Sequence, residues 1–500
     1  MTDPTESIAR NTGFALATHA ATAAFTAVLT IFLARYLGPE EFGVFALAVG
    51  IGAVLVLPGD AGISTAAARF IAERRGNNQA VARVLRDASR LRLVSSGTVC
   101  VALVLAAGAL ADAYNEPDLA WTLRGIALAI FGQNLMQLYG SGFTALGRVS
   151  LAFRTSLLKS AVELAATLGL VLAGAGATGA AFGRSAGFLA GGLLGMAMMW
   201  RLVGRAQPAA DDGEGEMSEV GLRRIAGYAG ALLVIEGAFV LFEQIDVLLI
   251  GALLSATAAG LFQAPLRLVT FLHYPAYALA AGVAPRVARH EVQGPALDPF
   301  AAALRGLVLF QAAIIAPLVV WADPIVELVL GPDYAESAEV LRALAPYVFL
   351  AGIGPLVSMA VNYLGEARRR LPIAIVAVAV NAAIDVVLIP EIGIVAGAIG
   401  TNVAYAIYVP AHLWICRSLI DLPLRPLLVS CGRALVAAAV MAGVLALFGT
   451  KDVSVPALLI GGMLGVAVYV GVLLLTRELS PAELRALWAS GRARVLASRP

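Results

Sequence analysis

Stretches of about 20 apolar residues, each closed by a short polar turn, follow one another almost from end to end of this chain. A helix of that length crosses the ~30 Å hydrocarbon core of a bilayer. Backbone groups in lipid find no water to bond, so repeated apolar runs of this length call for helices and exclude open sheets. Composition agrees: 60% of the 500 residues are hydrophobic, 14% are charged, and the mean hydropathy is +0.85. A soluble globule carries roughly 45–50% and about 25%. The chain therefore needs lipid as its solvent. The expected fold is an all-α membrane protein with about fourteen transmembrane helices, neither a soluble enzyme nor a secreted one.

The spans are expected near 12–34, 42–62, 91–111, 119–145, 154–174 and 178–201. A second set follows near 225–250, 257–285, 301–322, 338–363, 371–390 and 395–416, and two more near 427–448 and 456–476. The polar Met1–Arg10 precedes an apolar run, Asn11 to Ala34, that is too long for a signal-peptide core and reads as the first span. Loops on the side of the N-terminus collect arginines, among them Arg74, Arg75, Arg83, Arg86, Arg90, Arg223, Arg224, Arg286, Arg289 and the run Arg368 to Arg370. The opposite side keeps Arg35, Arg124, Arg342 and Lys451 amid Asp112, Glu116, Asp118, Asp323, Asp333, Glu336 and Glu391. Lys and Arg gather in cytoplasmic loops. A multi-pass protein of the cell (inner or plasma) membrane with both termini cytoplasmic is expected.

Shifting the chain by 217–218 residues lays the first six spans on the second six. Gly43 meets Gly260, Phe45 meets Phe262 and Arg69 meets Arg286. Leu123-Arg124 meets Leu341-Arg342, Leu146-Gly147 meets Leu364-Gly365, and Gly179-Ala180 meets Gly397-Ala398. An even number of spans per repeat makes both lobes enter the membrane the same way, related by an axis along its normal, as in alternating-access transporters. The expected organisation is a six-helix lobe over 1–205, a polar linker over 206–221, a second six-helix lobe over 222–416, two additional helices over 417–476 and an amphipathic tail over 477–500. In the tail, Ser480 and Glu483 form a capping box with Pro481 in the first turn. Leu484, Leu487, Trp488 and Leu496 supply its apolar face, and Arg485, Arg492 and Arg494 can reach head groups.

Other chemistries lack their motifs. No H-E-x-x-H, G-x-S-x-G or acidic pair in a basic loop is present, so no catalytic residue is assigned. Cys100, Cys416 and Cys431 are spaced like neither a disulfide nor a metal framework. No cofactor and no metal is expected. A net charge of +2, spread between apolar spans, argues against a nucleic-acid partner.

Four segments stand out: LARYLGPEEFGVFALA (Leu33 to Ala48), ARFIAERRG (Ala68 to Gly76), QIDVLLIGALLSATAAGLFQAPLRL (Gln244 to Leu268) and ADPIVELVLGPDYAESAEVLRALAP (Ala322 to Pro346). They resemble the polysaccharide transporter, or oligosaccharide flippase, family of the multidrug/oligosaccharidyl-lipid/polysaccharide exporter superfamily. The resemblance implies two six-helix lobes with two extra C-terminal helices. It also implies a flippase moving polyprenyl-pyrophosphate-linked oligosaccharide from the cytoplasmic to the outer leaflet. Its expected partners are that substrate and membrane lipids, with a polysaccharide polymerase and glycosyltransferases as candidate protein partners. The alternative is a cation-coupled drug or small-molecule exporter of the same superfamily, but span one holds no acid and has only His19 to titrate. A major-facilitator transporter is disfavoured because Gly59-Asp60 and Arg74-Arg75-Gly76 stand too far apart for its loop motif.

Charges within spans are costly, at least ~2.5–3.5 kcal/mol each on insertion scales, and so mark candidate sites. Arg267 lies ~16 Å from the outer end of span eight at 1.5 Å per residue. With Arg184, Lys159, Arg154 and Arg305, it is a candidate to offset a pyrophosphate, because guanidinium forks match phosphate oxygens. Glu236, Glu243 and Asp246 fall within about 80° on one face of span seven and are candidates for a coupling proton or sodium ion. Plainer roles stand beside these. Lys159 and Glu163, four apart, can neutralise each other, and Arg267 can pair with Glu243. Asp246, Asp60 and Asp385 lie towards helix ends, where water or a cap accounts for them. His19, His273 and His412 read as isolated histidines, and Trp121, Trp200, Trp321 and Tyr334 as interface-belt aromatics. Gly187, Gly191 and Gly195 read as a helix-packing face.

Overall fold

The computed structural model describes residues 8–204, 222–284, 298–483 and 485. Helices occupy the expected spans, and no strand occurs among the described residues. The chain order is α1 (Ile8–Asp60), α2 (Ile63–Glu73), α3 (Asn78–Ala113), α4 (Leu119–Ala145), α5 (Val149–Leu170), α6 (Gly176–Gly204), α7 (Leu222–Leu253), α8 (Ala256–Thr270) and α9 (Tyr274–Val283). There follow α10 (Asp298–Val320), α11 (Ala322–Val329), α12 (Ser337–Ala343), α13 (Ala345–Ala351), α14 (Gly354–Tyr363), α15 (Arg370–Ile392), α16 (Val395–Ile420), α17 (Leu424–Ala446) and α18 (Val455–Leu475). By length and composition, nine stretches among the described residues can cross a membrane. Two of them, Gly13–Asp60 and Val149–Gly204, run to 48 and 56 residues. At 1.5 Å per residue each exceeds two ~30 Å passes. The expected linker over 206–221 lies outside the described residues, as do Arg286, Arg289 and most of the tail.

The first and second spans share α1, which breaks at Gly38 (φ 71°, ψ 177°). Only glycine takes that conformation without strain, and Pro39 then starts the next segment where its missing N–H is harmless. Backbone packing divides the chain into two compact units, Met1–Ala264 with Asn381–Gly397, and Pro265–Val380 with Ala398–Pro500. The first unit runs past residues 206–221 because α7 packs on α1 and α2.

Within the first unit, α2 is too short to span a membrane. It buries Ile63, Ala66, Ala67, Phe70 and Ile71 at helical spacing and turns Arg69 and Glu73 outward as an exposed pair (3.0 Å). Its apolar side joins Leu85, Leu138, Tyr139, Phe143 and Met199 from α3, α4 and α6 in one core. Asn77 begins α3 by accepting from the Ala80 amide (2.9 Å). The glycine face of α6 admits α5 at close range. A Cβ on Gly187 would lie 2.8 Å from the Lys159 carbonyl oxygen, and one on Gly191 would lie 2.9 Å from the Lys159 Cβ. The helix-packing role expected of these glycines follows from that spacing.

Repeat-matched residues adopt matched local structure. Gly147 (φ 71°) and Gly365 (φ 82°) each end a helix in the left-handed conformation. Gly147 donates to Thr144 and Arg148 to Phe143 (3.0 and 2.8 Å), while Gly365 donates to Asn362 and Glu366 to Val361 (both 3.1 Å). Both turns are therefore the same helix stop. Leu123 and Leu341, likewise matched, are both fully buried.

In the second unit, α8 ends at Thr270 and α9 starts at Tyr274, separated by a tight 3₁₀ turn with Pro275 following. The C-terminal helices are fastened to α10. Tyr469 of α18 donates to the Leu309 carbonyl (2.7 Å), and α17 packs along α10. Trp321 is buried and donates to the Gly449 carbonyl (3.1 Å), so it is a packing residue and not a belt residue. Tyr334 is buried too, whereas Trp121 is exposed under Arg124 (4.5 Å) as a belt residue should be.

Candidate functional site

Three buried polar groups stand out in the first unit. In one, Glu163 of α5 takes up two cations: Lys159, one turn back on the same helix, and Arg184 of α6 (3.2 Å). Both cations also lie over the Phe188 ring, at 4.5 and 5.0 Å. Gly187 lets the helices approach, so the pairing is set by backbone packing. Lys159 and Glu163 are buried, while Arg184 keeps about a quarter of its side chain exposed. The local neutralisation expected of Lys159 and Glu163 is present, and the added guanidinium leaves the group with one net positive charge.

The second group was not assembled from the sequence. Asp246 of α7 is buried, not solvated at a helix end, and accepts from the Asn381 amide (2.5 Å) on α15. Asp385, one turn further along α15, is also fully buried and interacts electrostatically with Asp246. Neither Asp385 oxygen, nor Asn381 Oδ1, meets a hydrogen-bond donor among the described residues. Water access therefore does not account for Asp385. Two carboxylates in a low-dielectric interior call for a proton or small cation between them. The signal in the sequence was Asn381 and Asp385, four apart on one face of an apolar helix. Of the other acids proposed on span seven, Glu243 is exposed. The side chain of Glu236 lies outside the described residues.

The third group locks helices together. Arg92 of α3 is 1% exposed and pairs with Asp60, donating also to Ser64 Oγ (2.5 Å) and the Gly59 carbonyl (3.1 Å). Ser64 donates to Asp60 (2.7 Å), and Ser95 donates to the Gly59 carbonyl (2.8 Å). Asp60 is thus an ion-pair partner and not simply a solvated helix end. In the sequence Arg92 is inconspicuous because it stands beside Arg90 at the start of an apolar run, where any arginine passes as a loop charge.

The remaining candidate cations differ in setting. Arg154 is exposed at the start of α5, and Arg267 is half-buried on α8 beside Pro265. Arg305 of α10 is taken up by the C-terminal segment, through Glu478 (2.8 Å) and Glu483 (2.9 Å). Glu478 also accepts from Ser430 (2.6 Å) and Arg433 (3.1 Å). Burial disfavours the Glu478 carboxylate, but these hydrogen bonds outweigh it and hold the group below the usual carboxylate range. The Ser480 amide, then Arg305 and the Ser480 hydroxyl, hold Glu483 down to about 2. Ser480 and Glu483 donate to each other's side chains through their amides (2.8 and 3.1 Å), which is the expected capping box. Leu484, Leu487, Trp488, Leu496, Arg492 and Arg494 lie outside the described residues. His19 is exposed; His273 and His412 are buried.

A family profile described as polysaccharide biosynthesis protein matches residues 32–339, more than half of the chain. The probable low-salt glycan biosynthesis flippase Agl15 of Haloferax volcanii is 22% identical over 452 residues, covering 89% of this chain and 91% of that one. Among solved structures, the lipid II flippase MurJ in an inward closed conformation superposes with a TM-score of 0.73 at 14% identity, covering 93% of this chain and 98% of that one. An inward-facing multidrug resistance MATE family transporter of the MOP superfamily superposes with a TM-score of 0.65 at 15% identity, covering 80% and 96%. The chain therefore shares the fold of these two solved structures.

Proposed function

We propose, from the premise that the chain belongs to the polysaccharide biosynthesis protein family, that it is a flippase for polyprenyl-pyrophosphate-linked oligosaccharide. It is a transporter and not an enzyme. The substrate crosses from the cytoplasmic to the outer leaflet of the cell membrane as two six-helix lobes, 1–205 and 222–416, rock about a shared cavity. Both termini are cytoplasmic. The observation that carries this reading is the family match over residues 32–339.

In this reading Arg267, Arg184 and Arg154 offset the pyrophosphate, since planar guanidinium forks bind phosphate oxygens bidentately. Lys159 pairs with Glu163 beside them. Arg305 is left to fastening the C-terminal segment, because Glu478 and Glu483 already occupy it. Asp246 and Asp385 bind the coupling proton or monovalent cation. Helices α17 and α18, outside the repeat, guide the polyprenyl tail. A polysaccharide polymerase and glycosyltransferases work upstream and downstream on the same lipid.

Reconstitution tests this directly. Liposomes carrying the protein and an undecaprenyl-pyrophosphate-linked oligosaccharide on the inner leaflet are probed from outside with a lectin. The expected result is lectin-accessible glycan appearing only with the protein present. Equal appearance in protein-free liposomes, or none with active protein, would refute the reading.

A further inference from the structure

The second unit contains a row of side chains that neither the arginines nor the paired carboxylates explain. It begins at the break between α8 and α9. The Leu272 carbonyl, freed by that break, accepts from Gln311 of α10 (3.2 Å). Gln311 is held there by Gly352, where a Cβ would lie 2.1 Å from its side-chain carbonyl carbon. The neighbouring His273 meets Tyr347 of α13 edge-on at 5.3 Å, and Tyr347 meets Tyr405 of α16 edge-on at 4.8 Å. Tyr405 is followed by Tyr408 at 6.0 Å, and Tyr408 by His412 at 4.1 Å. Arg370 closes the row, donating to the Tyr408 hydroxyl (3.2 Å) and to Asn362 (2.6 Å).

Two properties of this row restrict what it can hold. Tyr347 and Tyr405 are only half-buried, so ring surface remains open between the buried ends. Nε2 of His273, Nε2 of His412 and Oε1 of Gln311 are buried with no hydrogen-bond partner among the described residues. Buried polar atoms are normally satisfied, and such a set calls for a hydroxyl-bearing ligand or ordered water. None of the side chains named in the row is a carboxylate that would attract a lipophilic cation, and Arg370 opposes one. A pyrophosphate would find a single guanidinium at one end. A neutral ring with an apolar face and peripheral hydroxyls fits both the open tyrosines and the unpaired atoms.

We propose that the row Tyr347, Tyr405 and Tyr408, flanked by His273, His412 and Arg370, is a saccharide subsite that engages the first sugars of the lipid-linked substrate. This rests on the flippase reading and adds to it the part of the protein that senses whether a glycan is attached. Stacking on a pyranose face tolerates many sugars, so the subsite distinguishes glycosylated lipid from bare lipid before it distinguishes glycans.

Purified full-length protein is titrated by native mass spectrometry with two probes, undecaprenyl pyrophosphate and undecaprenyl pyrophosphate carrying one N-acetylglucosamine. The wild type binds the glycosylated probe about tenfold more tightly. Tyr347→Ala and Tyr405→Ala erase that preference while binding the bare lipid unchanged, which also shows that they are folded. Tyr405→Phe keeps most of the preference because the ring face remains. If an alanine variant loses the bare lipid as well, Tyr405→Leu, which fills the space without a ring, decides in its place. Equal affinity of the wild type for both probes overturns the subsite, as does an undiminished preference in the alanine or leucine variants. Failure of the wild type to bind either probe refutes the flippase reading instead.

Discussion

Gly43 and Gly260 pack backbone against backbone: a Cβ on Gly43 would lie 1.8 Å from the Ala256 carbonyl oxygen, and one on Gly260 would lie 2.0 Å from that of Pro39. Pro39 and Ala256 stand at the same 217-residue offset as the glycines. The contact is therefore reciprocal, as a twofold relation between equivalent segments produces. It is physical support for the internal repeat that residue matching suggested.

Either glycine replaced by alanine forces these segments apart. Gly43→Ala and Gly260→Ala are each expected to cost about 1–3 kcal/mol by overpacking and to slow transport. Gly97→Ala, where a Cβ meets nothing within 4 Å, is the control and should be neutral or slightly stabilising. Thermal unfolding in detergent compares the three. Parity between Gly43→Ala and Gly97→Ala would count against the close crossing.

Asp385→Asn removes a buried carboxylate while keeping its shape. Transport by this variant should lose its dependence on a proton or cation gradient and fall at least about tenfold, one order in rate being ~1.4 kcal/mol. Asp246→Asn should behave alike, because the proposed ligand lies between the two acids. Flux measured with and without an imposed gradient decides. Gradient-driven flux that survives in both variants sinks the coupling role.

Arg267→Ala is expected to abolish glycan export without removing the protein from the membrane. Arg267→Lys should rescue only in part, since a point charge replaces a bidentate fork. Normal export by the alanine variant would remove Arg267 from the substrate path.

Arg92→Leu leaves Asp60, half-buried beside the buried Ser64, without its cation. Breaking a buried pair in this way costs about 3–5 kcal/mol, so most of the marginal stability of the α1–α3 contact should vanish. The double change Arg92→Leu with Asp60→Leu should recover much of it. Unfolding temperatures of the single and double variants give the answer, and a fully stable Arg92→Leu would refute the lock.

The clamp on Arg305 carries a pH dependence of known sign. Glu478 and Glu483 are both held below their ordinary range, so their contribution is complete above the unfolded carboxylate value of ~4.3 and is lost as pH falls through the folded values, about 2 for Glu483. Hydrogen exchange over 424–446, taken relative to the intrinsic rate at each pH, should stay constant from pH 7 to about 5 and rise only below about 4. Glu478→Gln should show the raised exchange already at pH 7. Loosening that is complete by pH 5 would contradict the clamp.

The apolar spans, the repeat and the glycine face of α6 were legible in the sequence because each depends on local composition and spacing. Transfer of a 20-residue run into lipid is settled within the run itself. So is a capping box such as Ser480 and Glu483, whose partners are three residues apart. Which charges meet was decided by tertiary structure. Arg92 with Asp60, Asp246 with Asn381 and Arg305 with Glu478 each join residues tens to hundreds of positions apart. Such pairs depend on how each helix is rotated and how far it slides along its neighbour. On a water-soluble helix the polar stripe reveals that rotation. A helix apolar on every side carries no such mark, and a turn of 100° per residue is enough to move Asp385 from lipid to the interior beside Asp246.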